Sequence, residues 1–146
     1  MPSYLINTNQ ISLFENFCKT SDMDGKTIPV KIGNTSLTLK VAACQESQEQ
    51  GYMNATDQPN ENDGILFIYS TNQRLAFWMK DVNFNLDIIF FDSNMEYVSH
   101  TTMEKYLGQR DYELPLYTSE KPAKYAVEVK EGWFNKNSFP GCTISF

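Results

Sequence analysis

The chain has 146 residues, of which 41% are hydrophobic and 14% aromatic, enough to bury the core of one small domain without disulfide or metal support. Its formal net charge of -6, with Lys scattered among acidic residues, argues against nucleic-acid binding and against docking on an anionic membrane.

The N-terminal region, residues 1–24, is polar and mixed, with a few apolar residues at helical spacing. We predict that it forms a short amphipathic helix or an ordered extension, separate from a domain of residues 25–146. It could pack on that domain without belonging to its core.

The domain begins with a pattern typical of a β-hairpin. Apolar residues alternate with polar ones from position 28 to position 41, and Gly33-Asn34 interrupts them as a turn. Residues 44–53 contain good helix formers, and Gly51 near their end suits a helix C-terminus. A hairpin followed by a short helix is therefore predicted.

Short apolar runs dominate the middle of the chain. Residues 64–69, 75–80 and 86–91 are each too short and too apolar for an amphipathic helix and are predicted as strands. A polar turn at residues 92–94 leads into another predicted strand, residues 95–102. We expect antiparallel pairing between successive strands.

The last part of the chain combines a long loop with further strands. Residues 103–124 are polar and predict a loop, and loops of this length are usually functional or mobile. Strands are predicted at residues 125–129 and 142–146, with a turn or short helix at residues 131–137. The predicted fold is α+β, mainly β: a single small domain with an antiparallel-rich curled sheet or half-open barrel and one or two short helices.

Cysteine and histidine usage argues against a metal site. Cys18, Cys44 and Cys142 are odd in number and widely spaced, which is typical neither of a disulfide framework nor of a zinc site. His100 is the only histidine, so the commonest nitrogen ligands of zinc are missing. We predict reduced thiols, no metal and no cofactor.

The compartment is predicted from what the sequence does not contain. The first residues lack the basic and apolar regions of a secretory signal, and no apolar stretch approaches the length of a membrane span. We therefore expect a cytoplasmic protein.

Charged residues inside apolar runs mark the candidate site. In the run FWMKDVNFNLDIIFF, residues 77–91, Lys80, Asp81 and Asp87 are embedded among aromatic and aliphatic residues, and Glu128 stands in the run YAVEV. A buried charge is costly unless it is paired or functional. Two interpretations remain open for Lys80 and Asp87: a structural ion pair across neighbouring strands, or part of a ligand-binding cleft. Glu128 could equally face solvent.

The chain resembles the family known as domain of unknown function 192. The resemblance rests on six motifs that match in order and spacing from about position 28 to the C-terminus. They are Gln50-Gly51-Tyr52-Met53, Asp63-Gly64-Ile65-Leu66-Phe67, Phe77-Trp78-Met79-Lys80, Leu86-Asp87-Ile88-Ile89-Phe90, Tyr117-Thr118-Ser119 and Tyr125-Ala126-Val127-Glu128. It implies a small single domain dominated by β-strands, often secreted or lipid-anchored in bacteria and archaea, with no established activity.

This sequence departs from the family pattern at three places. Ala55 stands where the family commonly has Arg, Asp81 stands where it usually has Asn, and residues 103–124 lack the cysteines that many members carry. Together with the missing signal peptide, these departures suggest a copy from a reducing compartment, and a phage or a bacterium with an AT-rich genome is the predicted source.

The leading functional hypothesis is a non-enzymatic module that binds a small polar ligand or a protein partner. Its predicted ligand-binding residues are Trp78, Lys80, Asp81, Asp87 and Glu128, with the loop of residues 103–124 as a cover. The alternative is a hydrolase of a glycan or similar polymer that uses Asp87 and Glu128 as a carboxylate pair. A third hypothesis is that the charges are structural and that residues 1–24 bind a partner.

Overall fold

The computed structural model describes residues 22–146, in which nine strands, two short α-helices and a 3-10 helix follow one another. The strands are β1 (Thr27–Ile32), β2 (Thr35–Ala42), β3 (Asp63–Gln73), β4 (Ala76–Phe77), β5 (Leu86–Phe91), β6 (Tyr97–Met103), β7 (Tyr117–Thr118), β8 (Ala123–Lys130) and β9 (Ile144–Ser145). The helices are α1 (Gln45–Gln50), α2 (Trp133–Asn137) and the 3-10 helix Asp111–Glu113.

Seven strands form one sheet in the order β6-β5-β8-β3-β2-β1-β9, in which β2 and β3 are parallel and the other neighbours antiparallel. The sheet curls until its edges meet: the Tyr97 amide donates to the Cys142 carbonyl at 3.1 Å, and the Ile144 amide donates to the Met95 carbonyl at 3.0 Å. The curled sheet is therefore joined at one point between β6 and β9, which leaves less unpaired edge exposed.

Side-chain alternation gives the sheet two buried faces. The inner face is enclosed by the curl and includes Leu66 of β3, Ile89 of β5 and Val127 of β8. Trp133 and Phe134 of α2 pack into the same cluster. The inner face thus forms the larger core of the domain.

The outer face is covered by the chain on either side of β4. It includes Phe67, Ile88 and Ala126, and the Phe77 ring of β4 packs edge-on to Phe67 at a centroid distance of 5.2 Å. β4 pairs with β7, so this short ribbon lies outside the main sheet. Continuous apolar runs such as LDIIFF are explained by burial on both faces.

The predicted fold class is confirmed: the domain is mainly β, with a curled sheet and two short helices. The hairpin β1–β2, the helix α1 ending at Gly51 and the hairpin β5–β6 lie where the sequence predicted them. Residues 75–80 are an exception, because only Ala76–Phe77 is a strand and it pairs with β7.

Most of the predicted N-terminal extension, residues 1–21, lies outside the described residues, so its amphipathic helix stays a prediction. Asp24 is described and belongs to the domain's contacts: its Oδ1 accepts hydrogen bonds from the Ala43 amide at 2.8 Å, the Cys44 amide at 3.1 Å and the Ser47 hydroxyl at 2.6 Å. These bonds attach the start of the described chain to the N-terminus of α1.

The state of the cysteines differs from the prediction of reduced thiols. Cys44 is disulfide-bonded, whereas Cys142 is a free, buried thiol in the inner core. The prediction is therefore wrong for Cys44. In residues 22–146, none of the helices is long and apolar enough to cross a membrane.

Candidate functional site

Glu128 lies in the middle of β8, on the outer face. It is opposite Ile65 of β3 and Ile88 of β5, so apolar residues flank it on both neighbouring strands. Its side chain is 0% exposed, and neither carboxyl oxygen has a hydrogen-bond partner among residues 22–146. The interpretation of Glu128 as a solvent-facing residue is therefore wrong.

Burial raises the pKa of Glu128 to about 8, because removing the charged form from water costs more than removing the neutral form. The carboxyl is therefore mostly protonated at pH 7. A protonated carboxyl offers one O–H donor and one acceptor oxygen.

Tyr52 lines a cavity of about 340 Å³ together with Lys40, Asp63 and Gly64. Burial is the main cause that raises the pKa of the Tyr52 hydroxyl, and the charges of Glu128 and Asp63 add to it. The Tyr52 ring packs edge-on to Phe84 at 5.8 Å. Tyr52 therefore lines the cavity and also lies within electrostatic range of the buried carboxyl.

Gly64 allows the close approach of β3 and β8 at this point. A Cβ atom at Gly64 would lie 2.3 Å from the backbone oxygen of Glu128 and 3.0 Å from the Val129 side chain. A larger residue would push the strands apart. Glycine is therefore required at this position by the packing of the two strands rather than by a turn.

Trp78 is half-buried, and its indole Nε1 is buried without a hydrogen-bond partner in residues 22–146. An unsatisfied buried N–H is costly, and Trp side chains usually find a partner for it. Trp78 is therefore one of several buried polar groups whose hydrogen-bonding capacity is not fully used within the described residues.

Lys80 connects the chain after β4 with the long loop. Its ammonium group forms an ion pair with Asp111 and lies 5.6 Å from the centroid of the Tyr106 ring. The Tyr106 amide donates to the Val82 carbonyl at 2.8 Å, and the Lys105 amide donates to Asn85 Oδ1 at 2.7 Å. The loop therefore packs against residues 80–85.

Asp81 has a positive φ of 58°, a conformation that is uncommon for residues other than glycine. Its carbonyl accepts a hydrogen bond from the Asn54 amide at 2.8 Å, which attaches the segment after α1 to the segment after β4. Asn and Asp tolerate this conformation better than most residues, so the backbone explains why a short polar residue stands here.

The buried carboxylate of Asp87 stabilises the fold through hydrogen bonds. It is 3% exposed and lies on the inner face, where Oδ1 accepts from the Thr102 hydroxyl at 2.8 Å and Oδ2 accepts from the Phe134 amide at 3.1 Å. Phe134 is in the first turn of α2, whose amides have no intrahelical partners. Asp87 therefore caps α2.

Both pairings that the sequence suggested for Asp87 are wrong. Lys80 pairs with Asp111 rather than with Asp87, because β4 lies outside the main sheet and pairs with β7. Asp87 is opposite Val129 in the register, whereas Glu128 is opposite Ile88, so the two carboxyls point to opposite faces of the sheet. They cannot serve one substrate as an acid and base pair.

The structure thus separates the five predicted ligand-binding residues. Trp78, Lys80 and Asp81 lie in the segment that follows β4, outside the main sheet. Glu128 is on the outer face of the sheet, and Asp87 is on the inner face. Sequence reasoning missed Tyr52 and Asp63 as neighbours of the site, although Tyr52 belongs to the motif Gln50-Gly51-Tyr52-Met53. Within residues 22–146, no group of three or more His, Cys, Asp and Glu side chains is placed to hold a metal ion.

Solved structures support the fold. A protein from Sinorhizobium meliloti, described as a "putative transcription regulator", is similar with a TM-score of 0.70 and 21% identity, over 86% of this chain and 97% of that chain. A protein of unknown function from Novosphingobium aromaticivorans is similar with a TM-score of 0.68 and 19% identity, over 82% of this chain and 85% of that chain. At this level of identity the likeness concerns the fold alone.

Comparison with curated proteins finds no match. Among protein families, the model of DUF192, described as "Uncharacterized ACR", matches residues 28–146, which run from the second residue of β1 through β9 and include every residue of the site described above. The chain therefore belongs to the DUF192 family, as its motifs predicted.

Proposed function

We propose that the protein is a non-enzymatic ligand-binding module whose site lies on the outer face of the sheet, at Glu128. One observation carries this proposal: the Glu128 carboxyl is completely buried and makes no hydrogen bond within the described part of the chain. A buried polar group without a partner costs about 1 to 3 kcal/mol. A ligand that satisfies the carboxyl would recover this free energy on binding.

The surroundings of Glu128 support the proposal. Tyr52, whose hydroxyl pKa is raised in part by the charge of Glu128, lines a cavity of about 340 Å³, within the range of small-molecule sites. The loop held by Lys80 and Asp111 is the candidate cover, because it packs against the segment that follows β4.

Asp87 is not part of the proposed site, since it is buried on the inner face and caps α2. The hydrolase alternative has lost the carboxylate pair on which it depended. A DNA-binding role, as the description of the Sinorhizobium protein would suggest, is not proposed because the net charge of -6 opposes binding to phosphates.

The test is a thermal-shift screen of small polar compounds, including sugars, nucleotides and organic amines, against wild type, Glu128→Gln and Glu104→Gln. Glu104 is exposed and makes no side-chain contact described above, so Glu104→Gln is the matched control. We expect at least one compound to raise the Tm of wild type and the control but not of Glu128→Gln. A screen in which every hit acts equally on Glu128→Gln would overturn the proposal.

The cytoplasmic location and the phage origin remain predictions from the sequence. The disulfide bond at Cys44 argues for an oxidising compartment instead, since such bonds rarely persist in a reducing cytosol. Alkylation of free thiols in freshly lysed native cells distinguishes the two: modification of Cys44 without prior reduction would support the cytoplasmic prediction.

A further inference from the structure

We propose that Cys18 is the disulfide partner of Cys44, and that their bond attaches residues 1–21 to the start of α1 as a tether that thiols can release. Two observations carry this proposal: the state of the other cysteines, and the course of the chain just after Cys18. The tether is independent of the ligand site proposed at Glu128, since it needs no ligand and involves a different part of the domain.

The cysteine count leaves one partner for Cys44 within the chain. The sequence contains three cysteines, Cys18, Cys44 and Cys142. Cys44 is disulfide-bonded, whereas Cys142 is a free thiol that is buried in the inner core. A bond from Cys44 to another cysteine of the same chain therefore goes to Cys18, which lies outside the described residues.

The chain just after Cys18 passes close to Cys44. Asp24 stands six positions after Cys18, and its Oδ1 accepts a hydrogen bond from the Cys44 amide at 3.1 Å. Six residues of extended chain span at most about 20 Å, so Cys18 must lie within that distance of Asp24. A disulfide bond requires Cα atoms about 4.4 to 6.8 Å apart, and the short connection allows Cys18 to reach this range.

The start of the described chain is fixed to the domain independently of the disulfide bond. Met23 packs against the inner core, and the Gly25 amide donates to the Val41 carbonyl at 2.8 Å. The Ser47 hydroxyl of α1 donates to Asp24 Oδ1 at 2.6 Å. These contacts hold the chain beside Cys44, so the cross-link joins two segments that the fold already places together.

The bond forms and breaks by thiol–disulfide exchange with a small external disulfide or dithiol. In formation, the thiolate of one cysteine attacks the external disulfide and releases one external thiolate. The thiolate of the second cysteine then attacks the mixed disulfide and releases the other. The external disulfide takes up two electrons, and the two protein thiols give their protons to the buffer. A dithiol reverses both steps, after which residues 1–21 are attached through the backbone alone.

The cross-link should also stabilise the domain. It closes the segment of residues 18–44, which contains the hairpin β1–β2. Closing a loop of this length restricts the unfolded chain, and for a domain of this size its loss should lower the Tm by about 10 °C. Reduction should therefore both release residues 1–21 and reduce the thermal stability of the protein.

The first test is mass spectrometry of the full chain after equilibration in a mixture of oxidised and reduced glutathione. Free thiols are alkylated and the protein is digested with trypsin without reduction. The three cysteines then lie in separate peptides, residues 1–19, 41–74 and 137–146. We expect residues 1–19 to be linked to residues 41–74 in the monomer and to separate on reduction, while Cys142 is alkylated.

The second test is thermal unfolding with and without dithiothreitol. Under oxidising conditions, Cys18→Ser and Cys44→Ser should each melt about 10 °C below wild type, because each removes the same bond. Neither variant should respond to dithiothreitol. Cys142→Ala is the matched control: it keeps both bonded cysteines, so dithiothreitol should lower its Tm as much as that of wild type.

Three results would overturn the proposal. Residues 41–74 could be linked to residues 137–146, linked only within a dimer, or recovered without any link. A wild-type Tm that dithiothreitol leaves unchanged would equally exclude a stabilising tether. None of these results bears on hits that depend on Glu128, so the tether and the ligand site fail or stand separately.

Discussion

Glu128 and Asp87 are buried carboxyls on neighbouring strands, yet their surroundings give them different roles. Asp87 accepts two hydrogen bonds on the inner face and stabilises α2, whereas Glu128, on the outer face, accepts none from the described residues. Both stand inside apolar runs, so hydrophobic pattern does not separate them. What separates them is the hydrogen-bond donors that the rest of the fold brings within reach.

Glu128 should make the stability of the protein depend on pH. Its folded pKa of about 8 lies above the ordinary value of 4.5, so the folded state holds a proton that the unfolded state has lost between these values. The free energy of unfolding should therefore fall with rising pH, by about 1.4 kcal/mol per unit, and level off above the folded pKa.

The measurement compares wild type with Glu128→Gln, which cannot titrate, by urea unfolding from pH 5 to pH 9. We expect Glu128→Gln to gain in relative stability as pH rises, by up to about 4 kcal/mol at pH 9. Parallel curves for the two proteins would show that Glu128 is not protonated in the folded state.

Removal of the Asp87 carboxylate should destabilise the fold. Asp87→Ala leaves the Phe134 amide and the Thr102 hydroxyl without their acceptor, and we expect a loss of about 2 to 4 kcal/mol in the free energy of unfolding. Urea unfolding measures this loss, and Asp57→Ala, at an exposed position, serves as control and should change it by less than about 0.5 kcal/mol. Equal effects would contradict the capping role.

At the scale of elements, the loop between β6 and β8 is attached to the segment after β4 at several points. The contacts are the Lys80–Asp111 ion pair, the Lys80–Tyr106 contact and two hydrogen bonds from the Tyr106 and Lys105 amides. Leu107 and Tyr112 in the same loop are 72% and 77% exposed, whereas Leu114 is buried, so apolar burial holds only part of the loop. Such a loop should open locally without global unfolding.

Lys80→Met should loosen the loop while leaving the domain folded. Methionine keeps the length of the side chain but removes the ion pair with Asp111 and the cation over the Tyr106 ring. We expect faster amide hydrogen exchange in the 3-10 helix Asp111–Glu113 and unchanged exchange in β5 and β8.

Lys105→Met is the matched control, because Lys105 is exposed and contributes its backbone amide rather than its side chain. If Lys105→Met loosened the loop as much as Lys80→Met, charge loss in general would be the cause and the specific ion pair would have no role.

At the scale of the whole molecule, the two edges of the sheet meet through the C-terminal segment. β9 pairs with β1, and the residues just before it bond to the start of β6. Ile144 also packs into the inner core, so the same segment joins the edges and fills the space they enclose. Closure and core formation should therefore be lost together.

Ile144→Ala should destabilise the protein by about 2 to 4 kcal/mol, since it leaves a cavity in the inner core. Hydrogen exchange at Tyr97, whose amide bonds to Cys142, should accelerate more than exchange in β3. Ser145→Ala, one residue on and exposed, is the control and should leave both quantities nearly unchanged. Unaltered exchange at Tyr97 in Ile144→Ala would show that edge closure is independent of the core.

The sequence by itself determined the fold class, the family and most element positions, because alternation, turn residues and apolar runs are local signals. The hairpin β1–β2 and the strand β5 are read directly from such patterns. Glu128 was also found from its sequence, as an acid inside an apolar strand. Its burial and its lack of partners were not, since alternation cannot tell which faces other segments cover.

Only the tertiary structure decided which charges meet. Lys80 and Asp87 stand close in the sequence, yet β4 leaves the main sheet to pair with β7, so Lys80 contacts Asp111 instead. The register of β5 and β8 placed Asp87 and Glu128 on opposite faces, which removed the carboxylate pair. Strand pairing and register depend on long-range contacts among the whole set of strands, and a shift of one residue reverses every side chain, so local patterns leave them undetermined.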